Sequence, residues 1–176
     1  MSSSVDVQGK VPPQNIQAEQ YVLGAMLLDR YAIDEVVQFL EPEDFYQREH
    51  QVIYEAILGL HDRGSPVDLL ILTEELKSQG ELEKVGGVES LVALHECVPN
   101  ASNAVEYGRL VTGTAERRRI IEAANGILTA AWNESSGNVT DLVDTAEQKL
   151  FSATHGLSSE TAAPLSTLIK EAIQRI

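Results

Sequence analysis

Apolar positions recur along most of the chain at three- and four-residue steps, the period of helices that bury one face. Behind a polar leader, residues 1–14, which is expected to be disordered, Asn15 can accept a hydrogen bond from the free amides of a helix from Ile16 to Leu28. Its stripe includes Ala18, Val22, Ala25 and the Leu27-Leu28 pair. A second helix carries Ile33, Val36, Val37 and Leu40 and is expected to stop at Pro42, which lacks an amide and clashes with the preceding turn. Glu43 to Tyr46 reads as a tight turn presenting two aromatics. A third helix lines up Val52, Ile53, Ala56, Ile57 and Leu60 and exits through Gly64. Asp68 is placed to cap a fourth, Leu69 to Gln79, with Leu69, Leu72 and Leu76 on one side and Gly80 at its end. A strand competes over residues 67–72, but Glu74 to Lys77 extend the helical pattern without a break.

Gly86-Gly87 opens a short helix through Leu91 and Leu94 that Pro99 closes, and Asn103 with Glu106 resembles a capping box. The next helix is long. Ala104 to Trp132 would span about 40 Å at 1.5 Å per residue, with Gly113 the favoured bend. After a turn at Ser135 to Asn138, Asn138 and Asp141 repeat the capping arrangement before a helix to about Ala153. Ile121, Ala124, Leu128 and Ala131 step along one helix of this pair, and Val139, Val143, Ala146, Leu150 and Ala153 along the other, with the spacing of a coiled-coil seam. Two helices joined by a short turn form an antiparallel hairpin. A hairpin outside the main core has one neighbour in its own chain, so its remaining apolar surface calls for homo-oligomerisation. His155 to Pro164 reads as a linker. Ser166 then caps a last amphipathic helix with Leu168, Ile169, Ala172, Ile173 and Ile176, which meets no stop signal and so predicts a longer parent chain. The expected fold is all-α: a compact head over 15–112, a hairpin over 113–154, a linker over 155–165 and a linker helix over 166–176.

Charge narrows the function classes. The 176 residues carry 13 Lys and Arg against 27 Asp and Glu, a net charge of −14, and such a surface repels phosphate backbones. Little direct nucleic-acid binding is expected. The imbalance sits mainly in residues 1–100, with 6 basic and 18 acidic side chains, against 7 and 9 in residues 101–176. The two parts therefore face different partners. The roughly 18 consecutive apolar residues of a membrane span are nowhere found, and neither is a secretory leader, which predicts a soluble cytoplasmic protein.

Catalytic chemistry is hard to find in the sequence. Cys97 is the only cysteine, and His50, His61, His95 and His155 lack metal-ligand spacing, so neither a disulfide nor a metal site is expected. The one Gly-Lys pair, Gly9-Lys10, has Ser4 and Val11 where a phosphate-binding loop needs Gly and Ser or Thr. Gly86-Gly87 reads as a turn, and Glu74-Glu75 as a solvated face. Arg117, Arg118 and Arg119 form the single basic cluster, but consecutive helical residues fan around the axis, which favours interface salt bridges over a stripe for nucleic acid.

Several segments together resemble the N-terminal domain of the bacterial replicative helicase DnaB. They are PPQNIQAEQYVLGAMLLD (Pro12 to Asp29), DFYQREHQVIYEAILGL (Asp44 to Leu60), GSPVDLLILTEELKSQGEL (Gly64 to Leu82), VGGVESLVAL (Val85 to Leu94), VPNASNAVEYGRLV (Val98 to Val111) and RRRIIEAANGI (Arg117 to Ile127). The resemblance implies a helical head, a protruding hairpin, and a linker helix leading to a RecA-like motor that holds ATP and magnesium. It also implies pairing through the hairpins into dimers, a trimer of dimers and a hexameric collar on which the C-terminal domain of primase docks. On that basis Ile121, Ala124, Leu128, Ala131, Val139, Val143, Ala146 and Leu150 are expected in the oligomer interface. Glu116, Arg117, Arg118, Arg119 and Ile120 are expected near primase, and the linker helix against the motor domain of a neighbouring subunit. No catalytic residue or cofactor is expected in this chain itself.

Overall fold

A computed structural model describes residues 10–132 and 138–154. The described residues are helical or loop and contain no strand. They divide into two compact units, residues 11–115 and the segment from Glu116 onward. The first unit is the head. It holds α1 (Ile16–Leu28), α2 (Arg30–Val36), α3 (Arg48–Asp62), α4 (Leu69–Ser78), α5 (Gly87–Cys97) and the beginning of α6 (Ala104–Trp132). The remainder of α6 and α7 (Val139–Thr154) make the hairpin. The expected linker and the linker helix with Leu168, Ile169, Ala172, Ile173 and Ile176 lie outside the described residues.

Helix starts follow the capping chemistry of the sequence in three places. Asn15 accepts from Ala18 N at 3.1 Å, Asp68 from Ile71 N at 2.9 Å, and Asp29, between α1 and α2, from Tyr31 N at 2.9 Å. Gly64 and Gly80 leave α3 and α4 with φ of 67° and 71°, the left-handed region open to glycine. Elsewhere the expectations are corrected. The second helix ends at Val36 and not at Pro42: the chain tightens into a turn in which the Phe39 and Leu40 amides both donate to the Val36 carbonyl, at 3.2 and 3.0 Å, and Glu41, ahead of Pro42, is extended at φ −108°, ψ 154°. Pro42 instead opens a 3-10 turn, Pro42–Asp44, in which Asp44 accepts from the Glu41 amide at 3.0 Å. Of the two aromatics after that turn only Tyr46 is exposed, while Phe45 is buried against Tyr54 with ring centroids 5.0 Å apart. A 3-10 turn, Ala101–Asn103, precedes α6, and the side chain that caps it is Asn100, accepting from Ser102 N at 2.9 Å. Helix α6 passes through Gly113 unbroken.

The core gathers Val22, Leu23 and Met26 of α1, Ile33 and Val36 of α2, Ile53, Tyr54 and Ile57 of α3, Leu72 and Leu76 of α4, Leu91 of α5 and Val111 of α6, all essentially without solvent contact. Each such side chain contributes roughly 1.5–3 kcal/mol. Helix α1 is the centre of the head. It is buried at Ala18, at Glu19 and from Val22 to Leu27, and Leu28, paired with Leu27 in the expected stripe, is 44% exposed. Gly24 permits the close passage of α5: a Cβ at this position would run into the Leu94 carbonyl and come within 2.5 Å of Val98 Cγ2. Tyr54 donates to the Leu40 carbonyl at 2.6 Å, and burial, with Glu41 and Asp44 nearby, pushes its phenol well above the ordinary tyrosine range.

Glu19 of α1 is fully buried and closes the start of α3. Its carboxylate accepts from Tyr46 N at 2.8 Å and Gln47 N at 3.3 Å, and lies 2.7 Å from His50 Nδ1 in the first turn. A carboxylate at a helix N-terminus satisfies orphan amides and sits favourably in the helix dipole. Glu19→Gln keeps the shape but turns an amide donor toward one of these three partners. Hydrogen bonds to charged groups are worth about 1.5–3 kcal/mol, so the expected loss is about 2 kcal/mol. Urea unfolding should show it as a lower midpoint with an unchanged slope.

Candidate functional site

The hairpin is built from residues 116–132 of α6 and from α7. Inside it the helices meet through small and polar side chains. Arg119, Glu122, Ala123 and Gly126 of α6 and Thr145, Gln148, Lys149, Ser152 and Ala153 of α7 line a groove of about 620 Å³. Gly126 makes room for Lys149, whose Nζ would be 2.9 Å from a Cβ at that position.

The two seams read from the sequence do not supply this contact. At about 100° per residue, Ile121, Ala124, Leu128 and Ala131 lie on the side of α6 opposite the groove. Val139, Val143, Ala146 and Leu150 are turned roughly 120° from the groove face of α7. Both stripes are left in solvent: Leu128 is 47% exposed, Val143 49% and Leu150 45%, while Ile121, Ala124, Ala131 and Val139 are also exposed and Ala146 is half-buried. Trp132, the only tryptophan, is 83% exposed at the end of α6, and Phe151 of α7 is 62% exposed. Apolar side chains are thus left open along both helices of the hairpin.

The five residues expected near primase, Glu116 to Ile120, form the first turns of this part of α6. Arg117 and Ile120 are exposed, and Glu116, Arg118 and Arg119 are half-buried. Arg119 belongs to the groove, so the three arginines point to different surroundings, as their succession on a helix requires.

A cavity of about 280 Å³ is lined by Gln20, Gln47, Glu49, His50, Ser90 and Cys97 among others. Burial pushes the Cys97 thiol above its ordinary pKa, so it stays protonated at neutral pH and is a poor nucleophile. No group of three or more His, Cys, Asp or Glu among the described residues is arranged to hold a metal ion. Among the same residues no helix is long and apolar enough to cross a membrane. The feature that sequence reasoning missed is the buried Glu19 and His50 pair, which is structural and organises the start of α3.

Residues 11–113 match the family described as DnaB-like helicase N terminal domain. The replicative DNA helicase DnaB of Leifsonia xyli subsp. xyli is 38% identical over 167 residues, covering 95% of this chain and 36% of that protein. DnaB of Geobacillus stearothermophilus is 41% identical over 142 residues, 81% of this chain and 31% of that one. The chain thus spans about a third of the length of these relatives. The crystal structure of the N-terminal domain of DnaB helicase from Mycobacterium tuberculosis superposes with a TM-score of 0.78 at 38% identity, covering 81% of this chain and 99% of that one. A structure of a DnaB-like replicative helicase and its interactions with primase gives a TM-score of 0.64 at 26% identity, covering 90% of this chain and 34% of that one. The family match extends over more than half of the chain and the structural match takes in its all-helical head, so this chain belongs to the DnaB-like helicase N-terminal domain family.

Proposed function

We propose that this chain is the assembly and partner-docking part of an ATP-driven replicative DNA helicase. The observation that carries the reading is the pair of apolar stripes on α6 and α7, exposed in the single chain while the head buries its own core. Ile121, Ala124, Leu128 and Ala131 with Val139, Val143, Ala146 and Leu150 bind a second copy through their hairpins. Such dimers associate further into a trimer of dimers, the collar of a hexameric ring. Unwinding of duplex DNA, with ATP and magnesium, belongs to a motor domain in the parent protein, and a linker helix connects the two. The acidic head suits a protein partner better than nucleic acid. Primase is that partner, docking through its C-terminal domain around Glu116 to Ile120. The related helicase studied with its interactions with primase supports primase as the partner.

The decisive measurement is the mass of the chain in solution with and without the primase C-terminal domain. Self-association, a further increase with primase, and no ATP turnover above a mock purification are expected. A persistent monomer at high micromolar concentration would remove the assembly role. An oligomer that ignores primase would remove the docking role alone. Tight, strongly salt-dependent binding of single-stranded DNA would favour a nucleic-acid domain instead.

A further inference from the structure

The cavity where α1, the start of α3 and α5 meet is ringed by polar groups that the head itself does not use. Gln20, Gln47, Glu49, His50, Ser90 and Cys97 line it. Gln20 and Gln47 are engaged through their backbones, and among the described residues the side chains of Gln20, Gln47, Glu49 and Ser90 have no hydrogen-bond or ion-pair partner. His50 adds a buried acceptor. Its ring is only 5% exposed, with Nδ1 turned to Glu19 at 2.7 Å. Glu19 already accepts the Tyr46 and Gln47 amides, so Nδ1 carries the proton of that contact and the neutral ring keeps a lone pair on Nε2. Nε2 has no partner among the described residues, yet it is not sealed from solvent. Glu19 is no part of the cavity wall, so the edge of the ring that carries Nε2 is the one that opens on the cavity.

Acceptors dominate this wall. His50 Nε2, the Glu49 carboxylate, two amide oxygens and the Ser90 hydroxyl can all receive hydrogen bonds, Glu49 is the one carboxylate, and no Lys or Arg lines the cavity. The complement is a cation rich in N–H groups. The surroundings attract one as well, with 6 basic against 18 acidic side chains in residues 1–100. At about 280 Å³ the space falls below the roughly 300–1,000 Å³ of drug-sized sites and suits one long side chain better than a folded segment. A planar guanidinium presents five N–H donors in a fixed fork and can serve acceptors on three elements at once, whereas an ammonium is a compact charge with three donors.

We propose that this cavity receives the guanidinium of an arginine side chain presented by a partner protein, held by the Glu49 carboxylate, His50 Nε2 and the amides of Gln20 and Gln47. The contact is separate from the hairpin stripes and stands without the assembly reading. Cys97, the only thiol, reports occupancy from within the wall. The test takes the whole chain with the peptide acetyl-Gly-Arg-Gly-amide and its lysine and citrulline counterparts, and follows the rate at which a small disulfide reagent modifies Cys97. The arginine peptide is expected to slow modification saturably, with half effect on the order of 1–10 mM for a lone side chain. The uncharged citrulline peptide should leave the rate unchanged, and the lysine peptide should act several-fold more weakly. Glu49 is exposed, so Glu49→Gln keeps the fold and is expected to weaken the arginine effect about tenfold. Ser90→Leu fills the cavity and should abolish saturation transfer from the protein to the arginine peptide. Protection by no peptide, equal protection by arginine and citrulline or by arginine and lysine, or protection undiminished by Glu49→Gln overturns the assignment.

Discussion

Substituting valine for Gly24 will unfold the head. Even the single Cβ of alanine would strike the Leu94 carbonyl and stand 2.5 Å from Val98 Cγ2, and the obstacle is backbone at the central helix contact, where no side chain can swing away. Overpacking a well-packed core costs about 1–3 kcal/mol and sometimes more. We expect about 3 kcal/mol for Gly24→Ala and a larger loss for Gly24→Val, against roughly 5–15 kcal/mol for a typical whole domain. Gly113 is the internal control. It is helical, a Cβ there meets nothing within 4 Å, and Gly113→Ala is expected to stabilise by about 0.5–1 kcal/mol. Thermal melts followed by far-ultraviolet circular dichroism should move in opposite directions for the two alanines. Equal shifts of the same sign would show that α1 and α5 do not pass as closely as described.

The second large effect falls on assembly and spares folding. Leu128 and Val143 are 47% and 49% exposed in the single chain, so aspartate at both positions meets water there and should change its stability by no more than about 0.5 kcal/mol. In a hairpin-to-hairpin contact the same aspartates would be buried without a cation, at several kcal/mol for the pair. Leu128→Asp with Val143→Asp is therefore expected to lower the association constant by a hundredfold or more while leaving helical content unchanged. Sedimentation velocity across a concentration series provides the reading. An unchanged mass with a folded head would mean that these stripes are not the contact.

The sequence is most informative where structure is local. The start of α1 at Asn15 and the cap of α4 at Asp68 depend on residues within a few positions of one another, and both are as the side-chain chemistry suggests. Features set by distant residues are harder to read. Glu19 looks like an ordinary charged position on an amphipathic helix, yet its partners lie 27 to 31 residues away at the start of α3. The clue is that α1 is apolar around most of its circumference, with Gly24 and Ala25 among leucines and valines, which marks a central helix on which every face must find a partner. The misplaced end of α2 has a similar cause. Val37 and Leu40 continue the apolar period, but Leu40 is buried because the chain turns, with its carbonyl held by Tyr54. On the hairpin, periodicity identified the apolar positions without revealing which contact they serve. Small residues at Ala123 and Gly126 close the hairpin, leaving the larger aliphatics exposed.

The position of the single tryptophan has a practical consequence for anyone who handles this protein. Intrinsic fluorescence excited at the red edge, where tyrosine does not absorb, comes from Trp132 alone and therefore from the hairpin. Such an emission spectrum is blind to the packing of the head, where Phe45 lies against Tyr54 and Tyr21 against Tyr107, and sensitive to the surroundings of the far end of α6. A fluorescence melt follows the hairpin, whereas a circular-dichroism melt of the same sample follows every helix. Disagreement between them would separate a change at the hairpin from loss of the head without any label being attached.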